Sequence, residues 1–293
     1  MACKFLSANG GGTTSVAIES ITYAVAHGAR ILNCSWGGGC FSASLEAAFA
    51  SARDRGVLVV TAAGNEASDN DRVPQFPSGF NLDNIISVAA IDRAGWRASF
   101  SNYGSTSVDL GAPGVDIYST LSTSEATYGF ASGTSMAAPY LAGVAALIWA
   151  QAPDRSVFDV RDLLLNTAEP SAGLDGLTVT GGRVNAFKAL TATPTGQLKI
   201  AAKPAAGTTL FGGRSIPIVA RVTDATGVTG ATVAGTVNGS GALTFRDDGV
   251  SPDVTANDAS YTATLAVPSG EGALSLAITA AAPEKARSAR LST

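Results

Sequence analysis

Two hydrophobic patterns alternate along the first 190 residues, and only one of them continues beyond. Residues 3–6 form a short apolar run that reads as a strand. Thr13 or Thr14 then caps a helix whose apolar positions are Val16, Ile18, Ile21 and Val25, and Gly28 ends it. Ile31–Cys34 is the next strand. Residues 41–55 show helical spacing again and stop at Gly56. Residues 57–60 and Ile85–Ile91 are unbroken apolar runs, as expected of strands covered on both faces. Residues 111–114 read as a turn and 117–121 as a strand. Residues 135–150 read as a helix apolar nearly all round, through Leu141, Val144, Leu147, Ile148 and Trp149, and therefore buried. Val157–Asn166 and residues 183–190 are two more helices.

Strands that alternate with helices predict an α/β fold built on a parallel sheet over residues 1–190. The helical period ends near Thr191. Residues 191–196, rich in Thr, Pro and Gly, read as a linker. Beyond it only strand-like alternation remains, over 215–222, 231–237, 261–267 and 274–278. Turn residues separate these runs, so residues 197–293 read as an all-β sandwich.

Composition narrows the classes. Charged residues are 14% and hydrophobic residues 46% of the 293, enough apolar material for a core. A net charge of -4 without a basic stripe excludes a nucleic-acid binder. No apolar run is long enough to span a membrane. Residues 1–6 lead straight into a Gly-rich turn, which is not the layout of a signal peptide. The low charge and abundant small residues nonetheless suit an exported protein. Three cysteines allow at most one internal disulfide, for which Cys34 and Cys40 flank a Gly-rich turn. Cys3 and Cys34 otherwise read as small buried hydrophobes on strands.

The candidate chemistry centres on Gly133-Thr134-Ser135-Met136-Ala137-Ala138-Pro139, at the start of the apolar helix. First-turn amides of a helix have no intrahelical acceptor, and the helix dipole favours negative charge there. A serine at that place is either an N-cap or a nucleophile beside ready-made oxyanion donors. Gly133 lets a substrate backbone approach, and Pro139 falls in or near the first turn. The seven-residue string resembles the nucleophile motif of subtilisin-like serine proteases at every position. Asn33-Cys34-Ser35-Trp36-Gly37-Gly38, Ala62-Ala63-Gly64-Asn65, Ser99-Phe100-Ser101-Asn102-Tyr103-Gly104 and Leu110-Gly111-Ala112-Pro113-Gly114 resemble that family too, in order and spacing.

The resemblance covers about residues 1–190 and implies a partial subtilisin-like sheet flanked by helices. It implies a secreted endopeptidase acting on proteins or peptides without a catalytic cofactor. It makes Ser135 the nucleophile and Asn65 the side-chain oxyanion donor. Ser35, Trp36 and Gly37 become one wall of the substrate cleft, and Ala62, Ala63 and Gly64 the other. The family's triad also needs an Asp in Asp-[Ser/Thr]-Gly and a His in His-Gly-Thr-His, and neither string occurs. The one histidine, His27, is followed by Gly28-Ala29-Arg30 and reads as a helix C-terminal residue. The expectation is a C-terminal portion of such an enzyme, inactive alone, whose missing N-terminal segment leaves the sheet with an unpaired edge. The competing expectation is a non-catalytic binding or anchoring protein on a degenerate protease scaffold.

In the C-terminal part, residues 245–263 resemble an Asp-rich loop of immunoglobulin-like modules on exported bacterial proteins. Asp247, Asp248, Asp253 and Asp258 are either turn formers or hard oxygen ligands for structural calcium. Subtilases often hold structural calcium in the catalytic domain as well, at positions this sequence does not identify.

Overall fold

The computed structural model describes residues 1–38, 40–121, 127–193, 198–204, 210–270, 272–282 and 287–292, with no side-chain description for the last stretch. Half of the 191–196 linker expectation, residues 194–196, lies outside the described residues. The chain forms two compact units, Met1–Thr191 and Ala192–Thr293.

The first unit runs α1 (Thr14–Ala26), β1 (Ile31–Cys34), α2 (Ala43–Asp54), β2 (Leu58–Ala62), β3 (Ile85–Ile91), β4 (Leu110–Pro113), β5 (Ile117–Thr120), β6 (Tyr128–Ala131), α3 (Thr134–Gln151), α4 (Val157–Asn166), β7 (Glu169–Pro170), β8 (Gly182–Arg183) and α5 (Ala186–Thr191). Among the described residues its main sheet has the order β1-β2-β3-β4-β8-β7. β1 through β4 are parallel, with Ile31 opposite Leu58, Val59 opposite Ile85 and Val88 opposite Leu110. Every residue of β2 and β3 is buried, as unbroken apolar runs require. α3 crosses β1 to β4. α1 and α2 pack with Leu32, Cys34, Val59 and Ile85 in a core of their own.

Local signals explain the helices. The Thr13 hydroxyl accepts from Val16 N at 3.4 Å to start α1, and Gly28 ends it at φ +81. Ser42 caps α2 through Leu45 N at 3.3 Å. Ser156 and Asp159 form a reciprocal capping box on α4.

Several expectations change. Residues 3–6 form no strand, since among the described residues none pairs with them; Cys3 and Phe5 instead pack on the α1–α2 core. The buried stripe of α1 is Ala17, Ile21 and Ala24, with Val16 exposed, so the small residues face the core. Residues 111–114 are no turn: β4 pairs with β3 there, and a Cβ on Gly111 would come within 2.6 Å of Leu174. α3 is buried on one side only, through Ala137, Leu141, Ala145, Ile148 and Trp149, while Leu147 is exposed. The segment 183–190 begins as β8 and becomes helical at Ala186. Thr191 closes α5 and is not yet linker. All three cysteines are free; Cys3 is half-buried off any strand, Cys34 is buried on β1, and Cys40 is exposed.

The second unit contains β9 (Lys199–Lys203), β10 (Ser215–Asp224), β11 (Thr226–Gly227), β12 (Thr232–Val237), β13 (Gly241–Thr244), β14 (Ser260–Ala266), β15 (Leu276–Ala282) and β16 (Arg287–Ser292). They form two antiparallel sheets, one joining β9, β10, β11 and β14, the other ordered β13-β12-β15-β16. Ile218, Ala220, Val222, Tyr261 and Leu265 of the first sheet share one core with Val233, Ile278 and Ala280 of the second.

Candidate active site

Parallel strands deliver their following loops to one end of a sheet, and ligands are met there. β1 is followed by Ser35, and β2 by Ala63, Gly64 and Asn65. The N-terminus of α3 meets both. The Ser35 hydroxyl donates to Ser135 O at 2.7 Å, and the Ser135 hydroxyl donates to Ser35 O at 3.2 Å. Thr134 N donates to Asn65 Oδ1 at 2.8 Å, and the Thr134 hydroxyl donates to the same oxygen at 3.0 Å. Ser35, Asn65 and Ser135 are therefore one constellation.

Pro139 explains the first pair of bonds. It lies in the second turn of α3, which runs from Thr134, and not in the first turn. A proline has no N–H to give the carbonyl four residues back. That carbonyl is Ser135 O, and the Ser35 hydroxyl takes the place of the absent donor.

The second pair fixes the Asn65 side chain. Two donors on Thr134 require the amide oxygen on their side, so Nδ2 points away from Thr134. Ser135 N is in the first helical turn, where no intrahelical acceptor exists. A Cβ built on Gly133 would lie 3.7 Å from Asn65 Oδ1, 3.7 Å from Ser135 N and 3.5 Å from Met136 Sδ, so the glycine keeps this corner open.

The other expected wall residues differ in exposure. Ala62 and Ala63 are buried, and Gly64 is half-buried. Ala63 N donates to Val88 O at 3.1 Å, and Ala63 O accepts from Asn70 Nδ2 at 2.8 Å and Asn102 Nδ2 at 3.2 Å. Trp36 packs its ring between Phe5, at 5.1 Å, and Phe49, at 6.5 Å. Gly37 lies against Phe76 O, where an added Cβ would stand 3.2 Å away, and Gly38 N donates to that oxygen at 3.0 Å.

Sequence reasoning missed the residues that hold the Asn65 loop. Asn102 is wholly buried: its Nδ2 reaches Glu66 Oε2 and Asn70 Oδ1, each at 3.0 Å. Its Oδ1 accepts from Glu66 N and Ser68 N. Glu66 Oε2 also accepts from Asn65 N at 2.9 Å. Asp71 ties the same loop to residues 105–107 through the hydroxyls of Ser105, Thr106 and Ser107. Burial pushes the Asp71 carboxyl up, but these hydroxyls and Thr106 N together hold it below the usual carboxylate range. Asn102 stands within a flagged string, yet nothing local announces its bonds to residues 32 to 39 positions away.

His27 is not part of the constellation. Its Nδ1 bonds Tyr23 O at 2.8 Å at the end of α1, and its ring stacks on Tyr23 at 4.0 Å. Among the described residues no group of three or more His, Cys, Asp or Glu side chains can hold a metal ion. In the second unit the aspartates are occupied by their own turns. Asp247 accepts from Asp258 N and Ala259 N, Asp248 from Val250 N, Asp253 from Gly249 N and Val254 N, and Asp258 from Ser260 N. These backbone N–H bonds are those the turn-forming alternative expects. Among the described residues no helix is long and apolar enough to cross a membrane.

A parallel sheet carries a serine at the N-terminus of a helix packed across it, beside an anchored asparagine amide, in an α/β unit. The profile of the Subtilase family matches residues 1–195, and the chain belongs to that family. Thermitase of Thermoactinomyces vulgaris is 41% identical over 190 residues, which are 65% of this chain and 64% of thermitase. A thermophilic serine proteinase of Bacillus sp. strain AK1 is 40% identical over 191 residues, 65% of this chain and 45% of that protein. A solved protease structure from Pseudoalteromonas arctica aligns with TM-score 0.55 at 33% identity, over 61% of this chain and 59% of that one. The chain thus spans between about half and two thirds of the length of these relatives.

Proposed function

We propose that residues 1–190 carry the nucleophile and oxyanion half of a serine endopeptidase site. Ser135 is the nucleophile. Asn65 Nδ2 and Ser135 N are the donors to the oxyanion, and Ser35-Trp36-Gly37 with Ala62-Ala63-Gly64 flank the bound peptide. The observation that carries this reading is the double anchoring of Asn65 Oδ1 on Thr134, which frees the amide nitrogen of that side chain for a substrate. Proteins or peptides are the substrates, and the chemistry asks for no cofactor. Residues 197–293 are proposed as an immunoglobulin-like sandwich, supported by two antiparallel sheets around one core among the described residues. The working location is proposed to be extracellular.

A serine hydroxyl needs a base to take its proton. Among the described residues the Ser135 hydroxyl bonds the carbonyl of Ser35, and His27 is engaged elsewhere. The 293-residue chain by itself is therefore expected to leave casein uncut; cleavage lost on Ser135→Ala would overturn that expectation and keep the nucleophile.

The oxyanion half is testable without a base. Ser135→Cys, made with Cys3→Ser and Cys40→Ser, places a thiol that ionises unaided at a helix N-terminus. Cys34 needs no replacement, since burial pushes its thiol up to about 12. The thiolate attacks the carbonyl of a p-nitrophenyl ester, nitrophenolate leaves, and a thioester remains. One equivalent of nitrophenolate per chain is expected, released about a hundred-fold more slowly when Asn65→Ala is added. A rate indifferent to Asn65 would remove its assigned role. Absence of any acylation would favour the non-catalytic, binding or anchoring reading.

A further inference from the structure

Between β4 and α3 the chain forms a two-stranded ribbon, β5 with β6. Tyr118 stands opposite Phe130, and Thr120 opposite Tyr128, so these four side chains share one face. Three of the four are aromatic and exposed, Tyr118 at 62%, Tyr128 at 57% and Phe130 at 70%. Their rings form a row with Tyr118 in the middle, its centroid 5.9 Å from that of Tyr128 and 5.0 Å from that of Phe130. A single exposed apolar side chain needs no explanation, but contiguous exposed rings mark an interaction surface.

The ribbon that carries them is braced. At its base Asp116 N donates to Ser132 Oγ at 2.9 Å, and Gly133 N donates to Gly114 O at 2.8 Å. On its other face Leu121 lies against Gly129, where an added Cβ would come within 2.7 Å of the leucine. The aromatic row is therefore held out before any ligand arrives.

The chemistry of the face narrows the ligand. Ile117–Thr120 and Tyr128–Ala131 contain no charged residue, and their polar side chains are all hydroxyls. A matching ligand is uncharged, offers apolar groups to the rings and needs hydrogen-bond donors more than acceptors. A proline-rich segment meets all three conditions. Proline has no N–H, so its main chain only accepts. In the polyproline II form the carbonyls have no internal partner and are open to a phenol hydroxyl. The planes of Tyr118 and Phe130 are inclined at 51°, so a pyrrolidine ring can seat against both. One polyproline II turn rises about 9 Å, which the two successive ring spacings accommodate. A glycan suits the face less well, because its hydroxyls also donate and the ribbon has no carboxylate or amide side chain to accept from them.

We propose that the Tyr128, Tyr118 and Phe130 rings dock an uncharged, proline-rich segment of another polypeptide in the polyproline II form. Aromatic rings recognise the preformed shape of such a segment, which loses little entropy on binding. The proposal rests on the ribbon and holds whether or not Ser135 is a nucleophile.

The test uses the full chain carrying Ser135→Ala, so that no cleavage intervenes. The probe is a capped, unlabelled nonaproline peptide titrated in a calorimeter. Saturable binding with a Kd on the order of 100 µM is expected. A capped nine-residue glycine–serine peptide is expected to bind at least about ten-fold more weakly. Tyr118→Ala removes the ring that touches both neighbours and is expected to weaken nonaproline binding about ten-fold or more. Because that variant can loosen the ribbon, Tyr118→Phe and Phe130→Ala are measured as well, with the near-UV spectrum as the check on folding. Tyr118→Phe keeps the ring and is expected to retain most of the binding, while Phe130→Ala is expected to lose it about five-fold or more. No binding of nonaproline, equal binding of the glycine–serine peptide, or binding indifferent to Tyr118→Ala and Phe130→Ala would overturn the proposal. So would tighter, Tyr118-dependent binding of cellohexaose, which would assign the face to a glycan. A dimer in sedimentation that Tyr118→Ala dissociates would also overturn it and assign the face to a second copy of this chain.

Discussion

At the scale of single residues, the proline that interrupts α3 is the most informative side chain after Ser135. Pro139 leaves Ser135 O without its helical donor, and Ser35 supplies one from another element. The two substitutions should therefore be coupled. Ser35→Ala alone is expected to cost about 1 kcal/mol, the net value of one hydrogen bond. In a Pro139→Ala background the helix provides its own N–H, and the same change is expected to cost less than half as much in urea denaturation. Equal costs in both backgrounds would show that the proline is not what recruits Ser35. A second prediction concerns Asp258, whose carboxyl is pushed up to about 6, first by burial, with the Asp247 charge adding to it. An acid with a raised folded value binds its proton more tightly in the folded chain, so it favours folding at low pH. That contribution is full below about pH 4 and is lost as pH rises towards 6. At pH 7 Asp258→Asn is expected to stabilise the second unit by about 1 kcal/mol, once solvent screening at this half-buried position is allowed for. At pH 4 the difference should vanish, and urea midpoints across this range check the sign. Ser135 and Asn65 could be singled out as candidates because each sits in an unusual string. Thr134 and Asn102 were not, since their roles consist of bonds to distant loops.

Elements were legible where the deciding interactions are local. Thr13, Ser42 and Ser156 each cap the helix that follows, and β2 and β3 announce their burial by unbroken apolar runs. Misreadings fall where pairing decides. The glycine and proline of β4 look like a turn until β3 claims them, and residues 3–6 look like a strand but pair with none of the described residues. The β2–Asn65 loop shows how tightly such tertiary decisions are enforced. Gly64 has φ +115, and a Cβ there would lie 2.3 Å from Asn102 Nδ2 and 2.7 Å from Glu66 Oε2. Gly64→Ala must therefore strain the backbone and push aside the amide that holds the loop. A loss of about 2 to 4 kcal/mol is expected, against under 1 kcal/mol for Gly38→Ala, where an added Cβ meets nothing within 4 Å. The same Gly64→Ala change should cancel the Asn65 dependence of acylation in the Ser135→Cys chain, because a displaced loop no longer aims the amide. Similar unfolding midpoints for the two glycine variants would contradict this account of the loop.

At the scale of the whole molecule the change of hydrophobic period near Thr191 coincides with a change of architecture, from parallel sheet and helices to antiparallel sheets. The period was readable because a helix and a strand repeat their apolar positions differently. The sheet order was not, because nothing in a strand's own residues names its neighbour. The second unit encloses its own core, in which wholly buried Ile218 and Ile278 come from opposite sheets. Its Tyr261 hydroxyl accepts from Ala231 N at 2.7 Å and donates to Val228 O at 3.0 Å, binding the 228–231 turn to β14. Buried apolar faces on both sheets and a satisfied buried hydroxyl are what independent folding needs. The polypeptide Ala192–Thr293 produced alone is therefore expected to unfold in one cooperative urea transition worth about 5 to 10 kcal/mol. Ile278→Ala should lower that by about 2 to 5 kcal/mol, as expected for emptying a closed core position. Tyr261→Phe should cost less, about 1 to 3 kcal/mol, because it leaves the ring in place and strands two backbone groups. A broad, non-cooperative transition for the isolated polypeptide would mean that this core does not stand by itself. The Asp258→Asn effect should survive in it unchanged, since the groups that shift that carboxyl, Arg221, Asp247 and Ser260, lie within the same unit.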